Sequence, residues 1–269
     1  HASMRIIAEA GVNHGGKLEK AFQLVDIARE AGADIVKFQI FNADTCRGEY
    51  REILRPLQLT YAEHEKIRAH CQDVGIDYLA SCFDISAVDF VLSLGLADVK
   101  VGSGELTNHA LLEHIGEKDL NLILSTGMAD MQEVKDAVDA FDRKRERLQG
   151  LSLLHCVSLY PAMPRHMNLN AIRSLRDEFC CPVGLSDHTL TNTPAIMAVA
   201  MGCSVIEKHF TLDPNEPGPD HAMSLSPEEL KIFVSRIREA EVCLGNGIKE
   251  PAQGEMEMRK IARGRWCTG

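Results

Sequence analysis

The stretch LEKAFQLVDIAREAGADIVKFQ, residues 18–39, holds a helix, its stop and a strand in one reading. Apolar residues recur at three- and four-residue steps as far as Ala31, as they do on one face of a helix. Gly32 then supplies the residue type that ends helices in a left-handed conformation. The run from Asp34 to Gln39 is short and β-rich, as in a buried strand. The same unit recurs along the chain. Strands are predicted at RIIAEA from Arg5, DIVKFQ from Asp34, DYLAS from Asp77, DVKVG from Asp98, LILST from Leu122, LSLLHC from Leu151, PVGLS from Pro182 and SVIEKH from Ser204. Helical patterns lie between them. AVAMGCS repeats the glycine stop before the last strand. SPEEL opens the last helix, with Ser226 as cap, Pro227 in the first turn and Glu229 closing a capping box. Eight strands, each followed by a helix, predict an α/β fold, a (β/α)8 TIM barrel over residues 4–249. A doubly wound open sheet is the competitor, and the lack of a GxGxxG turn or a P-loop counts against it. Residues 250–269 read as a polar tail or the start of a linker. His1-Ala2-Ser3 before Met4 read as a cloning remnant.

Of the 269 residues, 45% are hydrophobic and 25% charged, an ordinary globular composition. The net charge of −10 argues against a nucleic-acid or anionic-membrane partner. An anionic ligand must then be held by a local cluster of donors. No apolar run approaches the length of a membrane helix, and no basic segment followed by an apolar one marks a signal peptide. The nine cysteines are scattered, without a CxxC pair, and most lie in apolar runs. They read as reduced, buried thiols of a cytoplasmic protein.

In such a barrel, functional groups sit at the carboxyl ends of the strands. Strand one ends at Glu9, with Asn13 and His14 beyond it. Strand two contributes Lys37 and Gln39, strand three Ser81, and strand four Lys100, Ser103 and Glu105. Strand five ends in Ser125 and Thr126, and strand six leads to Ser158 and Tyr160. Strand seven ends in Ser186, Asp187 and His188. Strand eight carries Lys208 and His209, and its loop carries Asp220 and His221. Two lysines inside strands are the most informative feature, because a buried ammonium is costly unless paired. One reading pairs Lys37 and Lys100 with Glu9 or Glu105 as structural salt bridges. Another makes an anion pocket of both lysines and the hydroxyls of Ser81, Ser103, Ser125 and Ser186, the donors a phosphate and a carboxylate need. A third makes one lysine a Schiff-base nucleophile.

His188 and His209 end successive strands, and neighbouring strands lie about 5 Å apart. Their imidazoles are placed to converge on one ion, with open positions left for substrate and water. Mn²⁺, Fe²⁺, Co²⁺ and Zn²⁺ all suit nitrogen ligands in oxygen-rich surroundings. His221 is a weaker candidate ligand. His64, His70, His109 and His114 fall in helical stretches and read as surface residues.

The motifs IAEAGVNHGG, VKFQ, KVGSGELTN, LSTGM, LLHCVSLYP, GLSDHT, IEKHFTLD and PGPDHAMSL resemble, in order, those of the N-acetylneuraminate (sialic acid) synthase family. The likeness runs from about Arg5 to about Lys249. It implies a (β/α)8 catalytic barrel that condenses phosphoenolpyruvate with an aldose such as N-acetylmannosamine, or its 6-phosphate, to a nine-carbon keto acid. The resemblance makes His188 and His209 ligands of a divalent metal, Mn²⁺ in the usual case. Lys37, Lys100, Ser103, Ser125 and Ser186 become phosphoenolpyruvate contacts, with Ser81 and Ser158 where some relatives carry Thr and Asn. Glu9, Gln39, Glu105, Tyr160 and Asp220 become the groups around the sugar and the reacting carbons. Two departures fall on the sugar side. Relatives of this kind usually continue into an antifreeze-like domain that reaches across a dimer, and the segment from Asp44 to Leu59 is shorter than their second β/α loop. Mannose 6-phosphate, a diacetamido-hexose and a pentose phosphate therefore stay open as acceptors, with a Schiff-base aldolase as a different enzyme class. A homo-oligomer built on barrel helices is expected.

Overall fold

The computed structural model describes residues 4–46, 48–143 and 149–265. Eight parallel strands close a barrel in chain order. They are β1 Arg5–Gly11, β2 Ile35–Ile40, β3 Asp77–Cys82, β4 Asp98–Val101, β5 Asn121–Ser125, β6 Leu151–Cys156, β7 Val183–Asp187 and β8 Val205–His209. Each predicted strand is present to within a residue or two. The ring of helices is α1 Leu18–Ala31, α2 Tyr50–Leu54, α3 Tyr61–Val74, α4 Ile85–Ser93, α5 His109–Glu117, α6 Met131–Asp142, α7 Ala171–Phe179, α8 Thr193–Ala200 and α9 Pro227–Leu244. A further helix, α10 Glu255–Ala262, lies in the polar tail and buries none of its residues. The short α2 sits in the β2 loop, where Leu54 and Leu57 pack against Val12, Phe41 and Ala43. No helix among the described residues is long and apolar enough to cross a membrane.

Local chemistry accounts for the boundaries. Gly32 adopts φ 85° and returns its N–H to Ala28 and Arg29, as the glycine stop predicts. Ser226 and Glu229 close the capping box of α9, with Pro227 in its first turn. Inside the barrel, Ile7, Ile35, Leu79, Ile123, Leu154 and Val205 form an apolar floor. Gly184 fits there because a Cβ would stand 2.3 Å from the Val205 carbonyl oxygen. One inward position further along, the strands switch from apolar to polar. The site begins at that layer.

Of the histidines expected on the surface, His70, His109 and His114 are partly exposed, but His64 is fully buried. It shares with Ile67 and Cys71 the face of α3 turned to the barrel, and its Nδ1 lies 3.0 Å from the Tyr78 hydroxyl. Burial pushes His64 down to about 4. His14, also buried, is pushed down to about 4 by burial and by His64. An imidazole of this kind is neutral when folded, while its unfolded counterpart still takes up a proton below about pH 6.5. Stability should therefore fall as pH drops from about 6.5 toward 4, by roughly 1.4 kcal/mol per unit per histidine. Urea titrations at pH 7 and pH 5 should show this loss, and His64→Gln should make it smaller. An unchanged pH slope in that variant would remove His64 from the account.

The described cysteines are all free. Cys71, Cys82, Cys156, Cys181 and Cys203 are buried as expected, whereas Cys180 and Cys243 are exposed. Cys267 lies outside the described residues.

Candidate active site

Strand alternation builds the site. Ser186 pairs in register with Glu207, Ser81 with Lys100, and Glu9 with both Lys37 and His209. These side chains meet in the polar layer above the floor. Lys37 Nζ donates to Ser81 Oγ at 2.7 Å and lies 2.9 Å from Glu9 Oε2 and 3.4 Å from Glu207 Oε2. Lys100 Nζ donates to Ser125 Oγ at 2.7 Å and to the Val101 carbonyl at 3.3 Å, with Glu207 Oε1 at 3.8 Å. Ser186 Oγ donates to Glu207 Oε1 at 2.8 Å, and Gln39 Nε2 to Glu9 Oε1 at 3.0 Å. The structural pairing expected for the lysines is thus half present. Glu9 is a partner, but the second carboxylate is Glu207. Glu105 instead accepts from Asn108 Nδ2 at 2.8 Å, at the end of the single turn Ser103–Glu105.

The two lysines differ in charge environment. Burial works against the Lys37 ammonium, but Glu207 and Glu9 outweigh it and its pKa lies above the ordinary value. Burial lowers Lys100, and the more distant Glu207 does not compensate. Burial opposes the Glu207 carboxylate too, yet Lys100 and Lys37 hold it well below the usual carboxylate range. Glu9 is raised, by burial first, against the pull of Lys37.

Ser103 and Ser158 close one flank. Gly127 N–H donates to Ser103 Oγ at 2.9 Å, and a Cβ at Gly127 would stand 2.3 Å from Ser158 Oγ. Ser158 Oγ is buried without a hydrogen-bond partner in the protein.

The histidine rings stand 5.4 Å apart, with the Tyr160 ring 4.3 Å from His188. Tyr160 itself is 55% exposed and forms the rim. His188 Nδ1 faces the Val157 carbonyl at 2.8 Å and donates to it, so Nε2 carries the lone pair when the ring is neutral. His209 Nδ1 is buried with no hydrogen-bond partner, and Asp220 Oδ2 lies 3.9 Å away. Burial pushes His209 down to about 4, so it is neutral near pH 7. No group of three or more His, Cys, Asp or Glu side chains arranged for a metal occurs among the described residues. His188 and His209 bring two imidazoles together, fewer donors than such a group, and a cation held there would need further ligands from substrate or water.

Several strand-end residues do not join the site. Lys208 and Asp187 alternate outward and pair at 2.9 Å, with Lys208 Nζ 5.5 Å from the centre of the Phe233 ring on α9. His221 is anchored by Thr211 Oγ1 at 2.7 Å, beneath Gly218, and serves the loop's packing. The sequence reading missed Glu207 and Asn108. Glu207 was available, because two-residue alternation in VIEKH puts it on the face of His209. Asn108 carried no such signal.

The NeuB family profile matches residues 24–249. The N,N'-diacetyllegionaminic acid synthase of Legionella pneumophila is 45% identical over 96% of this chain and 78% of its own length. The human N-acetylneuraminate-9-phosphate synthase is 33% identical over 93% of this chain and 74% of its own. The solved sialic acid synthetase of Leptospira borgpetersenii, in complex with citrate, superposes with a TM-score of 0.87 at 34% identity, covering 98% of this chain and 93% of that one. The chain belongs to the NeuB family, whose synthases are phosphoenolpyruvate-dependent condensing enzymes of the sialic-acid type.

Proposed function

We propose that this barrel condenses phosphoenolpyruvate with an unphosphorylated diacetamido-hexose, in preference to N-acetylmannosamine or a sugar phosphate. The observation that carries the phosphoenolpyruvate half is the buried cluster of Lys37 and Lys100 with Ser81, Ser125 and Ser186. These groups bind the phosphate and carboxylate, with Ser103 and Ser158 on the flank. The acceptor side carries Glu9, Gln39 and Asp220, two of them carboxylates, which accept from hydroxyls and repel a phosphate. Asn108, which holds Glu105, also lines a cleft of about 780 Å³ between the ends of β2 and β3 and the start of α5. Its described lining includes Phe41, Thr60, Phe83 and Leu111 and has no lysine or arginine. Such a wall suits an acetamido group. The identity of 45% to the legionaminic acid synthase, against 33% to the human enzyme, points the same way.

The chemistry follows from where charge develops. The enol carbon C3 attacks the aldehyde carbon, and the aldehyde oxygen takes up a proton supplied by Glu105. Water adds at C2. The C2–O bond of the resulting intermediate then breaks, and phosphate departs into the lysine–serine pocket. Tyr160 covers the rim beside the histidines. A divalent cation, Mn²⁺ by the resemblance, would be held by His188 and His209 and would supply Lewis-acid polarisation of the aldehyde oxygen.

A panel of acceptors tests the reading, with phosphate release as readout: N-acetylmannosamine, its 6-phosphate, mannose 6-phosphate, arabinose 5-phosphate and a diacetamido-hexose. The diacetamido-hexose should give the highest kcat/KM. A phosphorylated sugar in first place would overturn the acceptor assignment. With ¹⁸O at the bridging position of phosphoenolpyruvate, the label should leave with phosphate, and label in the keto acid would refute C–O cleavage. The lowered pKa of Lys100 favours one rival, a Schiff-base aldolase. Borohydride with pyruvate should leave no adduct; a trapped one would establish the aldolase.

A further inference from the structure

We infer that Asn13 is a positioning residue for the acceptor, a clamp that holds the β8 loop, and with it Asp220, against the barrel mouth. The inference rests on the acceptor site proposed above. Asn13 follows β1 and is 1% exposed. Its single amide nitrogen donates to the Phe210 carbonyl at 2.8 Å and to Ser224 Oγ at 3.0 Å. Ser224 Oγ in turn donates to the Asp220 carbonyl at 2.6 Å. A three-residue relay thus runs from β1 to the backbone of the carboxylate beside His209.

The loop needs such a clamp. Its two feet are fixed by backbone pairing, Phe210 N–H to the Glu9 carbonyl at 3.0 Å and Leu225 N–H to the His209 carbonyl at 2.9 Å. Between the feet it is tied by His221 to Thr211, by the Lys20–Glu216 ion pair on the outer side, and by the relay. Of these ties, the relay alone acts on Asp220 itself. At the point of contact the β1 and β8 loops are tightly apposed. Gly11 has φ 54°, and a Cβ there would stand 3.2 Å from both Gln39 Nε2 and Glu9 Oε1 and 3.5 Å from Asp220 Oδ2. The three proposed acceptor groups therefore share one wall, and the relay sets the position of the only one that comes from a loop.

The chemistry calls for a donor at the Nδ2 position, while Oδ1 is buried without a partner. Both partners of Nδ2 are acceptors toward it, a carbonyl and a hydroxyl whose own hydrogen is committed to Asp220. Two donors from one atom satisfy them. Aspartate has nearly the same shape but would set a carboxylate oxygen against a carbonyl oxygen in a buried place.

The test uses Asn13→Asp, Ser224→Ala and Ser224→Thr in the full chain. Asn13→Asp and Ser224→Ala should raise the acceptor KM roughly tenfold, leave the phosphoenolpyruvate KM within about twofold, and speed amide exchange across residues 211–224. Ser224→Thr keeps the hydroxyl and should restore the wild-type acceptor KM. If Asn13→Asp fails to fold, Ser224→Ala decides, since it leaves the Asn13–Phe210 bond intact. Both KM values rising together, or loop exchange unchanged in Ser224→Ala, would overturn the clamp. Exchange is read without substrate. A wild-type protein that condenses nothing in the panel would refute the proposed function, and the loop measurement would still decide the clamp.

Discussion

Lys100→Met is expected to raise the phosphoenolpyruvate KM and lower kcat together, by roughly ten- to a hundredfold, the size of a lost charge-assisted contact. The two lysines differ in how completely their charge is matched. Lys37 is saturated by Ser81, Glu9 and Glu207 within 3.4 Å. Lys100 has only neutral oxygens, on Ser125 and Val101, within hydrogen-bond distance, and its carboxylate is 3.8 Å away. Burial lowers its pKa because that charge is incompletely matched. An arriving anion supplies what is missing, so Lys100 should gain more from phosphoenolpyruvate than Lys37 does. The converse holds for stability. Removing Lys37 strands Glu9 in a buried layer and takes one of two ammonium partners from Glu207, and breaking a buried pair costs about 3–5 kcal/mol. Lys37→Met, which loses both close carboxylate contacts, should therefore melt further below the wild type than Lys100→Met, which loses the longer one and fails in catalysis. Steady-state kinetics with thermal melts on both variants would check this. Wild-type kinetics in Lys100→Met would take it out of the site, and an unfolded Lys100→Met would make it structural.

The same contrast shows what the sequence could and could not reveal. The strands were legible because each is a short apolar run bounded by a turn or a glycine stop, and their order around the barrel follows from the repeating unit. The inward polar residues Lys37, Ser81, Lys100, Ser125 and Ser186 were legible because they interrupt runs that should be apolar throughout. At strands seven and eight, a place at the strand end does not by itself put a residue on the inward face. Lys208 and Asp187 stand at strand ends, yet one step of register turns them outward onto α9. The same step brings Glu207 inward. His64 departs from the surface expectation because a helical stretch does not announce which face of its first turn meets the barrel. The pairing of Lys37 and Lys100 with a residue on β8 is long-range, and no local pattern specifies it. The relay from Asn13 through Ser224 to Asp220 spans more than 200 residues of chain and was invisible for the same reason.

Chelation of divalent cations is expected to abolish turnover, and Mn²⁺ or another transition ion should restore it. The neutral state of His209 near pH 7 leaves a lone pair on a ring that lacks any hydrogen-bond partner at its buried Nδ1. A buried imidazole nitrogen without a partner is unusual, because it forgoes a hydrogen bond that water would provide. His188 is oriented by the Val157 carbonyl, the kind of backbone acceptor that fixes a metal-binding tautomer. Both rings are buried beside Tyr160 in the polar layer and outside the apolar core, so each supports little apolar packing. His188→Ala and His209→Ala should therefore lose bound metal and activity while melting within a few degrees of the wild type. Metal content by atomic absorption, run beside activity, separates the possibilities. Full activity in protein stripped of metal would remove the histidines from this role. Wild-type metal content in both variants would place the cation elsewhere. Loss of metal with retained activity would leave Glu105 and the lysine–serine pocket to carry the charge of the reaction alone.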